Sequence, residues 1–259
     1  MFKTFVLRMT AIALLLSLST QLRAMHDDVE FGYNNLTVPS SFVIEGDNFT
    51  WDNLLYFSSK MEEFDPFNPG DFGSDEPGFT TNPAEGFLIN PGDRIFLRVL
   101  NATDFSTYGV GYVNFYNPNT GFLEASADRR LSGDHNTGSL QTLFFNGLGI
   151  ETGDNPLFLG AGNASGNLHD HIFFDLLDDN TAPFGAYGVL LRLESDFASN
   201  GFNGIDLVSD PFWFIWNHGM TSADFNQFAL PAFGAIPEPN ALLVVAAIGG
   251  FGLARRRRR

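Results

Sequence analysis

The end of the sequence decides which part of the chain can fold as a globular body. Residues 241–254 form an apolar run, ALLVVAAIGGFGLA, and five arginines follow it. As a helix, residues 240–254 would span roughly 22 Å, and long arginine side chains can cover part of the remaining distance across a hydrocarbon core of about 30 Å. We therefore expect a single C-terminal transmembrane helix whose basic end stays cytoplasmic.

A proline box precedes this apolar run. Ile236-Pro237-Glu238-Pro239 ends any regular element, because neither proline donates a backbone hydrogen bond and each disfavours helix in the residue before it. The box, the apolar run and the basic cluster, in this order, resemble the PEP-CTERM sorting signal of Gram-negative bacteria. The resemblance covers residues 236–259 and is carried by Pro237, Glu238, Pro239, Arg255, Arg256, Arg257, Arg258 and Arg259. It implies that an exosortase-type membrane enzyme recognises and removes the tail, and that the protein is associated with exopolysaccharide and the outer envelope.

The first 24 residues have the order of a secretory signal peptide. Lys3 and Arg8 precede an apolar core at residues 11–18, and a polar stretch and the small residue Ala24 follow. We expect a signal peptidase to cleave this signal helix after Ala24. The sequence thus predicts a signal peptide at residues 1–24, a body at 25–235 and a sorting tail at 236–259. The body would cross the inner membrane and be anchored there transiently by the tail.

The charge of the body is strongly one-sided. All 30 acidic residues lie between Asp27 and Glu238, whereas only six of the 14 basic residues do, which leaves this part near −24. Such a surface repels nucleic acid and anionic lipid and attracts divalent cations or basic partners. The chain has no cysteine, so the exported body contains no disulfide and depends on its core, for which 29 phenylalanines are present.

Short strand patterns separated by Gly, Pro, Asn and Asp fill the body. The clearest alternation places Tyr187, Val189, Leu191 and Leu193 on one face. The best candidate for a helix is Thr221-Ser222-Ala223-Asp224, where a hydroxyl and a carboxylate three residues apart can cap free amides before Phe225 and Phe228. Residues 62–81 are expected to form a loop. The pattern predicts an all-β body, a β-sandwich or jelly roll. The expected strands lie at residues 29–33, 41–45, 49–57, 86–89, 94–100, 108–116, 140–146, 168–177, 187–194 and 211–216.

His169-Asp170-His171 is the most suggestive local motif. In a strand, residues two apart point to the same side, so both imidazoles would project together and could share one metal ion, whereas Asp170 would point the other way. Zinc usually takes three or four protein ligands, and His26 and His218 are the further candidates. His135, which we expect in a turn, is the least suited of the five histidines.

A second, weaker resemblance bears on these histidines. The start His-Asp-Asp-Val-Glu-Phe-Gly-Tyr from His26 and the later His-Asp-His-Ile-Phe-Phe from His169 are similar to segments of envelope-anchored His-x-His proteins, some of which belong to zinc-repressed groups. The resemblance implies a surface metal-binding role for His26, His169 and His171, with His218 as a fourth ligand. The alternative is that these are solvated histidines without a common ligand.

Calcium is the competing ion. Acidic and amide side chains in two stretches supply the oxygen ligands that calcium prefers, although neither matches the twelve-residue calcium loop. These residues are Asp65, Asn68, Asp71, Asp75 and Glu76 in the first stretch, and Asp175, Asp178, Asp179 and Asn180 in the second.

Enzymatic functions are weakly supported. The chain has no G-x-S-x-G, H-E-x-x-H, P-loop or dinucleotide motif and no thiol nucleophile. The alternatives to a non-enzymatic envelope component are a zinc- or copper-dependent extracellular enzyme, with copper requiring His26 at a processed N-terminus, and a glycan-active enzyme. The aromatic run at residues 212–216 could line a carbohydrate platform, although such density is more typical of a core.

Overall fold

The computed structural model describes residues 28–34, 36, 42–45, 49–63, 72–136, 140–177, 182–196 and 207–235. These residues belong to one compact unit whose regular structure is mostly strands, so the all-β prediction is confirmed for this part of the chain. The predicted signal helix and apolar tail lie outside the described residues. Within the described ranges, no helix combines the length and hydropathy needed to span a membrane.

The largest sheet is organised around one long central strand. Its eight strands are β3 (Leu55–Lys60), β7 (Arg94–Leu100), β8 (Val113–Asn117), β9 (Phe122–Glu124), β13 (Leu157–Ala161), β16 (Gly185–Asp196), β17 (Leu207–Val208) and β18 (Phe212–His218). β16 pairs with β7 and β8 along one edge and with β17 and β18 along the other. Nearly every side chain of β16 is buried, because the strand has neighbours at both edges and packing on both faces.

Two smaller sheets complete the fold. The six-stranded sheet contains β4 (Glu62–Glu63), β5 (Phe72–Ser74), β10 (Arg130–Asn136), β11 (Leu140–Asn146), β12 (Ile150–Gly153) and β15 (Phe173–Leu176). The four-stranded sheet contains β1 (Val29–Tyr33), β2 (Phe42–Glu45), β6 (Phe79–Thr80) and β14 (His169–Asp170), in the spatial order β14-β6-β1-β2. Strand β6 runs parallel to β1 and antiparallel to β14.

Phe214 of β18 joins the three sheets. Its ring centroid lies 6.0 Å from that of Phe57 in the eight-stranded sheet, 5.5 Å from Phe79 in the four-stranded sheet and 6.1 Å from Phe174 in the six-stranded sheet. The Phe214 side chain is completely buried. Phe214 therefore stabilises the packing of the three sheets against one another, which the pairing of strands within a sheet does not do.

The opposite face of β18 supports a short helical segment. Trp213 and Ile215 point to this face and form a second buried cluster with residues of the segment. The segment begins after the cap Thr221, whose hydroxyl accepts a hydrogen bond from the Asp224 N–H, as the sequence predicts. It comprises α-helical Ser222–Asp224, a π-helical turn at Phe225–Ala229 and α-helical Leu230–Ala232; a separate 3₁₀ turn lies at Ala102–Asp104.

Several predictions about local structure are wrong. Residues 62–81 are not simply a loop, because β4, β5 and β6 lie within this range, and residues 86–89 do not form a strand. His135 lies in strand β10, opposite Gln141 of β11, and not in a turn. The aromatic run at residues 212–216 is fully buried core and is not available as a carbohydrate platform.

Replacement of Phe214 by Ala should destabilise the body by about 3–5 kcal/mol, because the cavity would open where the three sheets meet. The free energy of unfolding measured by urea denaturation tests this. Phe122→Ala is the matched control, because the Phe122 side chain is 73% exposed and its removal should change stability by no more than about 0.5 kcal/mol. Equal losses in the two variants would contradict the role of Phe214.

Candidate metal centre

Three side chains converge at one end of the four-stranded sheet. The ligand atoms of Asp28, His169 and His171 all lie within 4.8 Å of one another. The Nε2 atom of His169 is 3.1 Å from Nε2 of His171 and 3.1 Å from Oδ2 of Asp28. The sequence predicts that the two histidines project from the same side of one strand; their Nε2 atoms do face each other, although His171 lies just outside β14, and Asp28 was not among the predicted ligands.

The two-residue strand β6 brings these residues together. Phe79 of β6 pairs with Val29 on one side and with Asp170 on the other. Asp28 directly precedes β1, and His169 begins β14, so residues about 140 positions apart in the sequence meet across a single narrow strand. The site thus depends on a strand that lies inside the predicted loop.

The loop before β6 fixes the orientation of His171. The carbonyl oxygen of Asp75 accepts a hydrogen bond from Nδ1–H of His171 over 2.8 Å. In the neutral imidazole this bond leaves the lone pair of Nε2 free and pointing toward His169 and Asp28. A backbone carbonyl on the distal ring nitrogen is also the usual support of a metal-ligating histidine.

The same loop is anchored to the core. The carbonyl of the next residue, Glu76, accepts hydrogen bonds from Nε1 of the buried Trp216 over 3.0 Å and from Oγ of Ser74 over 2.9 Å. The backbone position that holds His171 is therefore set by a core tryptophan. The orientation of His171 therefore depends on packing in the core as well as on the conformation of the surface loop.

Gly78 provides the space in which Asp28 and His171 approach each other. The Gly78 N–H donates to Oδ1 of Asp28 over 3.1 Å, and the Gly78 carbonyl accepts from the Val29 N–H. A Cβ atom at position 78 would lie 2.4 Å from Cε1 of His171 and 2.8 Å from Oδ1 of Asp28. Any side chain at this position must therefore displace one of the two ligands.

The convergence has the dimensions of a cation site. Two nitrogens bound to one tetrahedral zinc at about 2.0–2.1 Å lie roughly 3.3 Å apart, close to the 3.1 Å between the two histidines. In the absence of metal, the same contacts require a proton on Nε2 of His169, which His171 and Asp28 would both accept. A metal ion would replace that proton and bind all three atoms.

The site is open to solvent. The side chain of His169 is 60% exposed and that of Asp28 is 23% exposed. An ion can therefore reach the three ligands from solution, and a water molecule or a further side chain can occupy a fourth position. The strongly acidic body raises the local concentration of cations around this opening.

Asp170 points away from the site, as the alternation predicts. Its Oδ1 lies 2.9 Å from Nε2 of the buried His135 and accepts the backbone N–H of His171, also over 2.9 Å. The carboxylate therefore links the His-x-His segment to β10 beneath it. His135 is a neighbour of the site through Asp170 and not one of the converging ligands.

The remaining predicted ligands lie elsewhere or outside the described residues. His26 is outside the described residues, so its part in the site stays a prediction. His218 is not among the converging ligands: its buried ring packs against Phe72, Phe184 and Tyr187, with the Phe72 centroid 4.6 Å away. The structure therefore unites His169 and His171 and leaves His218 in an aromatic pocket.

The predicted calcium ligands are mostly outside the described residues, and calcium there stays a prediction. They include Asp65, Asn68 and Asp71 of the first stretch and Asp178, Asp179 and Asn180 of the second. Asp75 contributes its backbone carbonyl to His171.

A separate convergence of carboxylates contains Glu30, Glu45 and Glu85, and the Asn82 amide donates to Glu30 over 2.9 Å.

Comparisons with known proteins assign no family to this geometry. No protein-family model, no curated protein and no solved structure matches the chain.

Replacement of Gly78 by Ala should weaken metal binding by about 10- to 100-fold, the usual effect of disturbing the support of a metal ligand. The added methyl group would displace His171 or Asp28, and zinc titration followed by calorimetry measures the loss. Gly149→Ala is the control, because a Cβ atom at position 149 meets nothing within 4 Å. Unchanged zinc affinity in Gly78→Ala would show that the close approach at Gly78 is irrelevant to binding.

A second prediction concerns the pH dependence of stability. Burial lowers the pKa of His218, and a backbone hydrogen bond to Ala182 opposes this only in part. Because the folded-state pKa lies below the unfolded value of about 6.5, the unfolded chain binds a proton first as the pH falls. His218 therefore favours folding above that pH and opposes it progressively below.

His218→Gln should abolish this contribution. We expect the wild-type free energy of unfolding to fall more steeply than that of the variant between about pH 7.5 and pH 5. Urea denaturation at a series of pH values, with a chelator present to exclude metal effects, provides the measurement. Parallel curves for the two proteins would be inconsistent with a depressed pKa at His218.

Proposed function

We propose that this chain is an exported protein of the bacterial envelope whose all-β body binds a divalent transition metal. Support for export comes from the order of charged, apolar and small residues at 1–24 and of box, apolar run and arginines at 236–259. Signal peptidase and an exosortase-type enzyme are the proposed processing partners, and exopolysaccharide is the proposed surrounding. Support for metal binding comes from Asp28, His169 and His171.

We further interpret the body as sandwich-like. The interpretation is favoured by side chains of three sheets sharing one buried cluster, in which Phe57, Phe79 and Phe174 surround Phe214. A packed scaffold of this kind suits a binding protein, because it holds ligands from distant parts of the sequence at fixed positions.

One observation carries the metal proposal. Nε2 of His171 faces Nε2 of His169 at 3.1 Å while its own Nδ1–H is held by a backbone carbonyl. A surface histidine pair without a common ligand gains little from a fixed tautomer, whereas a metal-binding pair requires one. Because Asp28 adds a carboxylate at 3.1 Å from His169, the three atoms provide a His₂Asp ligand set.

Zinc fits this ligand set better than calcium. Calcium is bound by six to eight oxygen ligands in proteins, whereas imidazole suits zinc, copper, iron and nickel. A fourth ligand can come from His26, which precedes Asp28 by two residues. Residues two apart are separated by at most about 7 Å along an extended chain, a distance that a histidine side chain can bridge.

A metal-dependent enzyme is the second candidate. The observation in its favour is the open position: three protein ligands and an exposed His169 resemble the pattern of catalytic zinc sites, in which water is the fourth ligand, more than closed structural sites. Zinc would lower the pKa of such a water to about 7 and make it a nucleophile. A hydrolytic reaction is the class this arrangement would support.

Metal content tests the proposal. The full chain, purified in detergent without a histidine tag and dialysed against zinc, should retain one zinc per chain by elemental analysis. His169→Ala and His171→Ala should each lose it, because removal of either leaves at most two of the described ligands. The control is Asp154→Asn, which removes an exposed carboxylate that is not part of the site.

His26→Ala separates two forms of the same site. Loss of affinity would identify His26 as the fourth ligand, and unchanged affinity would leave that position to water and favour the enzymatic candidate. Absence of bound zinc in the wild-type chain, together with unchanged thermal unfolding on zinc addition, would contradict the metal proposal as a whole.

A further inference from the structure

Aromatic residues lie on two adjoining loops next to the point where the described chain ends. Phe49 and Trp51 belong to one loop and Phe105 and Tyr108 to the other, the Trp51 and Tyr108 rings are in contact, and we call the four residues the exit surface. Phe49, Trp51 and Phe105 are 47%, 61% and 44% exposed, whereas the chain's other two tryptophans, Trp213 and Trp216, are completely buried. Exposed tryptophan beside other exposed aromatic side chains is uncommon on a protein surface that has no partner.

The exit surface is built on the last described residues. The Trp51 N–H donates to the Gly234 carbonyl over 2.8 Å, and Thr50 forms a bridge with Ala235. The Tyr108 ring lies so close to Gly234 that a Cβ atom there would be 2.6 Å from Cδ2 of the tyrosine. Trp51 and Tyr108 therefore have a fixed position relative to Gly234 and Ala235, the last described residues.

Polar contacts hold the two contributing loops together. The Asp52 carboxylate accepts hydrogen bonds from the Thr50 hydroxyl, from the Ser106 hydroxyl over 2.7 Å and from the Thr107 N–H over 3.1 Å. Partial burial alone would raise the pKa of Asp52, but these bonds outweigh it and keep the pKa below its usual value. Asp52 thus stays ionised and links the loop of Trp51 to the loop of Phe105 and Tyr108.

The chemistry of the exit surface fits a lipid headgroup layer better than a sugar. The Trp51 and Tyr108 rings lie 6.1 Å apart but at 64° to each other, so they do not form the flat platform on which a sugar ring stacks. Tryptophan and tyrosine are enriched where a membrane meets water, because their rings are apolar at one end and polar at the other. Residues 49–54 and 102–111 contain no lysine or arginine, which argues for zwitterionic and not anionic lipid.

The length of the connecting chain supports the same occupant. Six Cα–Cα steps separate Ala235 from Ala241, where the apolar run begins, and they span at most about 20 Å. If the apolar run is inserted in a bilayer, Ala235, to which the exit surface is joined, cannot lie farther than this from the start of the run. The surface is thus within reach of the headgroups whenever the tail is anchored.

We propose that the exit surface docks on the zwitterionic headgroup layer of the inner membrane while the tail is inserted. Docking would hold the Pro237-Glu238-Pro239 box at the membrane surface, where a membrane enzyme can reach it. This inference rests on the membrane-anchored tail of the proposed function. It adds that the body itself contacts the lipid.

Trp51 provides the probe. The full chain is reconstituted in phosphatidylcholine vesicles with and without brominated acyl chains, and flotation first establishes that it is membrane-bound. Bromine should quench part of the tryptophan emission of the wild-type chain. Trp51→Phe should abolish that part, because Trp213 and Trp216 lie inside the body.

A relocated tryptophan is the matched control. Phe184 is 65% exposed and directly precedes β16. The next residue, Gly185, pairs with His218, the last residue of β18. Phe49 of the exit surface lies opposite Leu55, which pairs with Phe212, the first residue of β18. The two positions are roughly 20 Å apart along the strand. The double variant Trp51→Phe, Phe184→Trp should therefore show no bromine quenching of the new residue.

The outcomes separate the two proposals. A chain that does not float with the vesicles would contradict the membrane-anchored tail. A chain that floats but shows the same quenching as Trp51→Phe would overturn docking of the exit surface and leave the tail proposal intact. An emission shift of Trp51 on addition of polysaccharide, without quenching by bromine, would assign the surface to a glycan and would also overturn the inference.

Discussion

The contact of Phe214 with three sheets is the constraint on which the rest of the structure depends. Backbone hydrogen bonds join the strands within each sheet, whereas in this cysteine-free chain side-chain packing is the main force that holds one sheet against another. Phe214 meets Phe57, Phe79 and Phe174, one from each sheet. Because aromatic rings remove a large apolar area from water and prefer tilted or edge contacts, one phenylalanine can serve three neighbours at once.

The candidate metal centre inherits its geometry from this core. Phe79 belongs to β6, the strand across which Asp28 and His169 meet, and Phe174 lies in β15, three residues after His171. On the adjacent side, Trp216 binds the Glu76 carbonyl, and the preceding carbonyl, that of Asp75, orients His171. The ligands are exposed or half-buried, yet each is attached to a backbone position that the buried aromatic side chains fix. Such an arrangement keeps a surface site preorganised.

Local sequence patterns predicted the strands in which apolar and polar residues alternate clearly. They predicted only a small part of the candidate metal centre. β7 and β11 have the predicted bounds, and the common side of His169 and His171 follows from strand periodicity. The two-residue β6 gives no periodic signal among prolines and glycines, and only pairing with distant partners makes it a strand. Asp28 could have been proposed as a ligand from its position two residues after His26 and directly before an alternating strand. Its approach to His169, however, is a long-range contact that no local pattern contains.

At His135 a local pattern predicted a turn where long-range pairing produces a strand. The sequence Gly133-Asp134-His135-Asn136 has turn chemistry, yet pairing with β11 and β15 on both sides makes it a central strand. The buried ring then contacts Asp170, the residue between the two candidate ligands. Because Asp28 and His169 are about 140 residues apart in the sequence, a bound ion would be lost on unfolding, and its binding free energy would add to stability, by about 2.7 kcal/mol at a free ion concentration 100 times Kd. Metal binding at the surface and side-chain packing around Phe214 in the core would therefore both stabilise the same folded state.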